Sequence, residues 1–183
     1  LAKAAHADGI KIVVDIVPNH SSNLHEWFKA ALAAKPGSLE RDRYIFRDGK
    51  GPNGDEPPTN WQNHFGGPAW TRVPDGQWYL HMFTKEQPDW NWENKEVRDK
   101  IYKMINWWLD KGLAGFRIDA IINIKKALPW HDYPSDRADG MCSPGEMLKH
   151  AVGVGEFLGE MRDRTFLPHG AFTAGEVFDE KPE

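Results

Sequence analysis

Cysteine is almost absent from this chain: Cys142 is the single one among 183 residues. That excludes an internal disulfide framework and any zinc site built on cysteines. Long apolar runs are missing too, and none approaches the roughly 20 residues that a membrane-spanning helix needs. Positive charge is not in excess. Lys and Arg number 23 against 27 Asp and Glu, a net charge of −4, which argues against nucleic acid or an anionic membrane surface as a partner. The chain begins at Leu1 with no basic-then-apolar leader, and it holds no low-complexity tract or short-period repeat. What is abundant is tryptophan, nine residues alongside nine Phe and four Tyr. Such an excess supplies a thick core, flat platforms for a ring-shaped ligand, or both.

The pattern along the chain alternates. Ala2, Ala4, Ala5 and Ala7 favour a helix that Asp8-Gly9 stops. The β-branched run Lys11–Val17 reads as a parallel strand buried on both faces, ended by Pro18. Asn23 and Glu26 fit a capping box for a short helix carrying Trp27, Phe28, Ala31 and Leu32. The stretch 21–92 then holds six of the nine tryptophans together with much Gly and Pro, and predicts a β-rich insert. Within it Pro74-Asp75-Gly76 marks a hairpin turn between Trp70–Val73 and Gln77–Phe83. Asn94 caps the next helix, with Val97, Ile101, Met104, Ile105 and Trp108 at helical spacing and Lys111-Gly112 at its end. A second strand covers Ala114–Ala120. Ser143 caps one further helix with the stripe Met147, Ala151, Val154, Leu158 and Met161, and a third strand covers Ala171–Val177. Strands alternating with helices mean parallel βαβ units. Three strands do not close a barrel, so the expected fold is an α/β piece of something larger, divided as 1–20, 21–92 and 93–183.

Each predicted strand carries an acid: Asp15, Asp119 and Glu176. In α/β barrels the chemistry sits where strands exit at their C-terminal ends. Arg117 lies two residues before Asp119, on the same strand face, where its guanidinium would keep that carboxylate charged. Glu176 is followed by Val177-Phe178, an apolar setting that would favour the protonated form. One charged and one protonated carboxyl, about 5–5.5 Å apart, is what a retaining glycosidase requires.

Asp15-Ile-Val-Pro-Asn-His20, Gly115-Phe-Arg-Ile-Asp119 and Gly175-Glu-Val177 occur in this order. They resemble signature strand segments of the α-amylase family, glycoside hydrolase family 13. Gln87-Pro-Asp-Trp-Asn91, Phe65-Gly-Gly-Pro-Ala-Trp70 and Trp78-Tyr-Leu-His-Met-Phe83 resemble the oligo-1,6-glucosidase and α-glucosidase branch. The resemblance spans essentially the whole chain. It implies a partial (β/α)8 barrel, from the third strand to the fifth, with the insert as the family's small domain B. It further implies that Asp119 is the nucleophile, Glu176 the general acid/base, Arg117 the residue that orients the nucleophile, and His20 a hydrogen-bond partner of the bound sugar. Asp15 matches a structural aspartate, and Asn19 a position that ligates calcium in true α-amylases. That calcium is usually absent from this branch, so no cofactor is expected.

The pattern departs from the family at several places. Trp90 stands where the branch usually has Leu. Ala120, next to the nucleophile, resembles α-1,4 rather than α-1,6 cleavers. The family's third catalytic aspartate, its first two strands and its C-terminal sheet domain have no counterpart in these residues. The implied substrates are short α-glucoside oligosaccharides, and the remaining barrel is the implied partner. A transglucosidase, such as a sucrose isomerase or trehalose synthase, shares the same pair of acids, and a non-catalytic glycosidase-like domain is the rival of another class. The single cysteine and this branch favour a cytoplasmic location.

Other conspicuous residues have plainer readings. His25, His64, His81, His131, His150 and His169 show no ligand spacing and are expected at the surface or in loops. Trp107 and Trp108 are expected in helix packing, and Trp61, Trp70, Trp78 and Trp90 in the core of the insert. Asp132, Asp136 and Asp139 read as a solvated loop face. Cys142 has no base beside it and is not expected to be a nucleophile.

Overall fold

A computed structural model describes residues 2–177, with Phe178 and the last five residues outside them. Two three-stranded sheets organise the fold. The first is parallel, in the order β1 (Val13–Ile16), β5 (Gly115–Ile118), β6 (Phe172–Gly175). The second is antiparallel, in the order β2 (Phe46–Asp48), β4 (Gln77–Leu80), β3 (Trp70–Arg72), and lies in sequence between β1 and β5. The predicted hairpin is present, with Trp70 opposite Leu80 and Arg72 opposite Trp78.

The helices follow their local chemistry, with two departures. The helix α1 (Ala2–Ala7) ends at Asp8-Gly9, where Gly9 takes a positive φ of 74°. The cap of α2 (Glu26–Ala33) is His25, not Asn23: its Nδ1 accepts the Trp27 N–H. Asn23 instead donates its own N–H to Glu86 O, drawn out of the capping role by the insert. The long helix α3 (Lys95–Asp110) is capped by Asn94, as its sequence predicts. Ser143 caps α4 (Pro144–Leu148), but the single helix expected after it is broken. Gly153, at φ 97°, separates it from α5 (Val154–Met161), which runs through a π-turn at Arg162–Phe166 into α6 (Leu167–His169). An apolar stripe at helical spacing therefore spans two helices here, because the left-handed glycine interrupts the backbone that carries it.

Burial corrects a second expectation. The strand β1 is not buried on both faces: Val13 and Val17 are exposed, as is Phe172 on β6. Only β5, between them, has Gly115, Phe116 and Ile118 buried. The apolar faces of β1 and β6 have neighbours on one side alone among the described residues. Trp107 and Trp108 likewise lie about half exposed rather than packed.

Two apolar clusters hold the fold together. In the first, Phe28, Tyr44, Phe46, Tyr79 and Trp90 of the insert pack with Ile16, Val97, Ile101, Ile105 and Phe116. The aromatic contacts are close, with Tyr44 stacked on Trp90 at 4.4 Å and Phe28 edge-on to Tyr79 at 5.0 Å. In the second, Trp61, Trp70, Leu80 and Met82 pack with Ala120, Cys142 and Met147. Trp61, Trp70 and Trp90 are thus core, as expected, and Trp78 is partly buried. The insert does not keep a core to itself. It shares one cluster with the parallel sheet and the other with the segment that follows β5.

A buried ion pair closes the insert onto β1. Lys126 Nζ lies 2.9 Å from Asp89 Oδ2 and donates to Asn19 Oδ1, also at 2.9 Å. Asn19 Nδ2 donates to Asp89 Oδ1 at 3.1 Å, and Trp90 N–H donates to Asn19 O. Burial pushes the Lys126 ammonium down in pKa, and Asp89 opposes that shift.

Two stability predictions follow from this packing. A Cβ on Gly115 would stand 1.8 Å from Phe172 O across the β5–β6 pair. Gly115→Ala should therefore cost about 3 kcal/mol, the upper range for overpacking where the backbone itself must move, read as a lowered urea midpoint. Lys126→Met should cost roughly 3–5 kcal/mol, because it leaves the buried Asp89 unpaired. Combining it with Asp89→Leu should recover part of that loss in the same urea titration.

Candidate active site

The three predicted strand acids meet at one side chain. Register places Asp15 opposite Arg117 and Arg117 opposite Ala174, so Arg117 occupies the middle of the row. Its NH1 donates to both oxygens of Asp15 and to Asp119 Oδ1, each at 2.8 Å. Its NH2 pairs with Glu176 Oε1. The hydrogen bonds that Arg117 donates to Asp15 and Asp119 raise its pKa above its already high value. A planar guanidinium offers donors in a rigid fork, and here its two terminal nitrogens separate the carboxylates of Asp119 and Glu176.

Backbone hydrogen bonds set those two acids at the strand exits. Asp119 N–H donates to Ile16 O at 2.9 Å, and Glu176 N–H to Ile118 O at 2.8 Å. Each acid therefore continues a ladder one residue beyond its strand. Gly175 lies against the Ile121 side chain, where a Cβ would come within 3.1 Å.

The surroundings of Glu176 differ from the apolar wrapping that its sequence neighbours suggest. Oε1 is on Arg117, and Oε2 accepts the Ala120 N–H at 3.3 Å. The reason is tertiary: Ala120 takes the left-handed conformation, φ 47° and ψ 39°, which turns its N–H toward β6. Ala120 itself is wholly buried in the second cluster. What it offers the site is a peptide N–H.

His20 lies beside this group at the end of β1. Burial lowers its pKa, while Asp89 and Asp119 act against that and Lys126 adds to it. Its Nε2 is 2.9 Å from Gln87 Nε2, and its ring meets Phe83 at 5.0 Å. Phe83 also stacks on His64 at 4.8 Å, whose Nε2 is 2.8 Å from Asn123 Nδ2. His64 is thus part of the wall running from His20 to the segment after Asp119, not a plain loop histidine. His81 is buried, its ring nitrogens held by Thr71 Oγ1 and Phe83 O. No spacing rule reveals these two. Their partners come from other turns of the insert and from beyond β5.

Asn19, the calcium candidate, does not fit that role. The oxygen that would ligate a cation accepts from Lys126, and the same ammonium reaches Asp89. A positive charge already fills the place where a cation would need negative oxygens, and no group of three or more ligand side chains exists among the described residues. Lys126 carries no local signal, and Gln87 stands out in sequence only as the first residue of the Gln87–Asn91 motif. Each acquires a role through residues 107 and 67 positions away.

The remaining candidates settle simply. Cys142 is buried, which pushes its thiol up to about 11. Asp132 pairs with Lys50, and Asp136 accepts from Ser143, so those loop acids tie segments together rather than only facing solvent. No helix among the described residues is long and apolar enough to cross a membrane.

Comparison with known proteins adds to this geometry. The family model for the alpha amylase catalytic domain matches residues 1–183. A probable oligo-1,6-glucosidase 3 of Bacillus subtilis is 43% identical over 173 residues, 94% of this chain and 30% of that protein. A glucan 1,6-alpha-glucosidase of Streptococcus dysgalactiae subsp. equisimilis is 40% identical over 184 residues, covering 100% of this chain and 30% of its own length. Among solved structures, the trehalose-6-phosphate hydrolase of Bacillus licheniformis superimposes with a TM-score of 0.87 at 42% identity, over 98% of this chain and 31% of that one. Trehalulose synthase MutB of Pseudomonas mesoacidophila MX-45 does so at 0.83 and 36%, over 96% and 30%. The chain spans about a third of the length of these relatives. With three acids gathered on Arg117 at the ends of parallel strands, and a family model matched from end to end, this chain belongs to the α-amylase catalytic-domain family.

Proposed function

We propose that this chain is the third-to-fifth-strand section of a (β/α)8 barrel, with residues 21–92 as its domain B. In this reading it carries the catalytic pair of a retaining α-glucosidase acting on α-1,4- or α-1,6-linked glucosides of short oligosaccharides. The observation that carries this reading is the placement of Asp119 and Glu176 on the two terminal nitrogens of the Arg117 guanidinium, at the exits of adjacent parallel strands. The named relatives, glucosidases among them, support it.

The chemistry runs in two displacements. An Asp119 oxygen attacks the anomeric carbon while the bond from that carbon to the leaving oxygen breaks, and Glu176 gives its proton to that oxygen. In the second step Glu176 takes a proton from water, the resulting hydroxyl bonds to the anomeric carbon, and Asp119 leaves as carboxylate. Arg117 aligns Asp119 for attack through its bond to Oδ1. A carboxyl that donates a proton is neutral, so the Glu176–Arg117 ion pair gives way as Glu176 turns its O–H to the leaving oxygen. Its bond to the Ala120 N–H holds the other oxygen near the site. His20 hydrogen-bonds the sugar, and Asp15 fixes Arg117 from the side away from β6.

A transglucosidase is the second reading, favoured by the similarity to the trehalulose synthase structures. Both readings need the same pair of acids. They differ in whether water or a sugar hydroxyl releases the glucosyl group from Asp119.

In the complete protein that carries this chain, Asp119→Asn should lower hydrolysis of a nitrophenyl α-glucoside at least about a thousandfold, while the melting temperature stays near wild type. Glu176→Gln should lose activity with natural disaccharides more than with the nitrophenyl substrate, whose leaving group needs less protonation. Near-normal turnover by Asp119→Asn would refute the assignment. Incubation with sucrose, maltose and isomaltose separates the two readings: free glucose marks the hydrolase, and rearranged disaccharides mark the transglucosidase. The 183-residue chain alone should show no turnover in the same assay, because it spans about a third of its relatives.

A further inference from the structure

The Gln87–Asn91 segment contributes more than one device. Asp89 and Trp90 belong to the buried closure with Asn19 and Lys126. Gln87 stands apart from that closure and faces the imidazole of His20 instead, with Nε2 to Nε2 at 2.9 Å.

The orientation of the Gln87 amide is held from its other end. Gln87 Oε1 accepts the Thr84 N–H at 3.3 Å and the Thr84 hydroxyl at 3.1 Å. The Gln87 N–H returns to Thr84 O at 2.8 Å, closing the turn. With its oxygen occupied by two donors, the amide presents its NH2 to the ring. A donor on Nε2 makes that nitrogen the acceptor, and a neutral imidazole then carries its proton on Nδ1. Asn19 Nδ2, which spends one of its two N–H groups on Asp89 Oδ1, lies at the longer distance of 3.3 Å from Nδ1, so the 2.9 Å Gln87 contact decides the tautomer. Phe83 sets the plane of the ring from the side. The charged groups facing the ring are Asp89, Lys126 and Asp119. Asp89 and Lys126 are paired with each other and Asp119 with Arg117.

We propose that Gln87 is a positioning residue that fixes the tautomer of His20, keeping Nε2 unprotonated and the ring proton on Nδ1. Only its kinetic consequence rests on the reading of His20 as a sugar contact. The tautomer itself is a property of the folded protein. Hydrogen-bonding direction at a ring nitrogen is set by the group on it, as second-shell partners set metal-bound histidines, and here the partner is an amide that its own turn has locked.

The test is nitrogen-15 NMR of histidine-labelled complete protein above pH 7.5, with the His20 signals assigned by their loss in His20→Asn. In the wild type, Nε2 should show the shift of an unprotonated nitrogen and Nδ1 that of a protonated one. Gln87→Glu replaces the donor by an acceptor and should exchange the two shifts. Gln87→Met removes the partner and should give averaged shifts from both tautomers. It should also raise KM for a nitrophenyl α-glucoside about tenfold, the size of one lost hydrogen bond, with kcat changed less than about threefold. A wild-type ring protonated on Nε2, or shifts that ignore both substitutions, would overturn the proposal. The wild-type spectrum alone decides if a variant fails to fold. Because the spectra need no turnover, a protein that fails as a glucosidase still reports whether Gln87 sets the ring.

Discussion

One guanidinium holds the functional end of this chain together. Arg117 projects from the central strand of the parallel sheet and meets an acid from each of the three strand segments, Asp15, Asp119 and Glu176. Three carboxylates converging on one point repel one another. A single cation among them turns that repulsion into a defined geometry. Arginine suits the position where lysine would not, because its flat fork presents separate nitrogens to separate partners.

Around that centre, the insert takes part in the site as well as in the core. Its aromatic residues fill one cluster with the parallel sheet and another with the segment beyond β5. Its last turn carries Gln87 to His20 and Asp89 to Lys126. The Lys126–Asp89 pair is a costly way to join segments, since both ions lose their water. It is tolerated because Asn19 supplies an acceptor to the ammonium and a donor to the carboxylate. An apolar contact would join the same segments without orienting them. The charged one fixes where Asn19, and hence its neighbour His20, must lie.

Much of this was legible from local chemistry. The order of strands and helices followed from apolar periodicity, and the caps Asn94 and Ser143 from the competition of short polar side chains for free N–H groups. The hairpin at Pro74-Asp75-Gly76 followed from turn chemistry. Misreadings arose where a distant segment outbid a local preference. Asn23 lost its cap to a contact with Glu86, and the stripe from Met147 to Met161 was cut at Gly153. Around Glu176 the chain neighbours are apolar, while the spatial neighbours are Arg117 and a peptide N–H.

Local sequence places a set of groups where strands end: the acids, the arginine two residues before one of them, and the histidine after Asn19. Those placements depend on strand periodicity and chain direction, which are written within a few residues. Long-range packing settles which charges neutralise which, that Lys126 answers Asp89, and which face of Gln87 meets His20. These pairings join residues 37, 67 and 102 positions apart. Desolvation strengthens the buried Lys126–Asp89 pair, and the half-exposed Arg117–Asp15 pair relies on the orientation of the guanidinium fork; both arise only once distant segments are brought together.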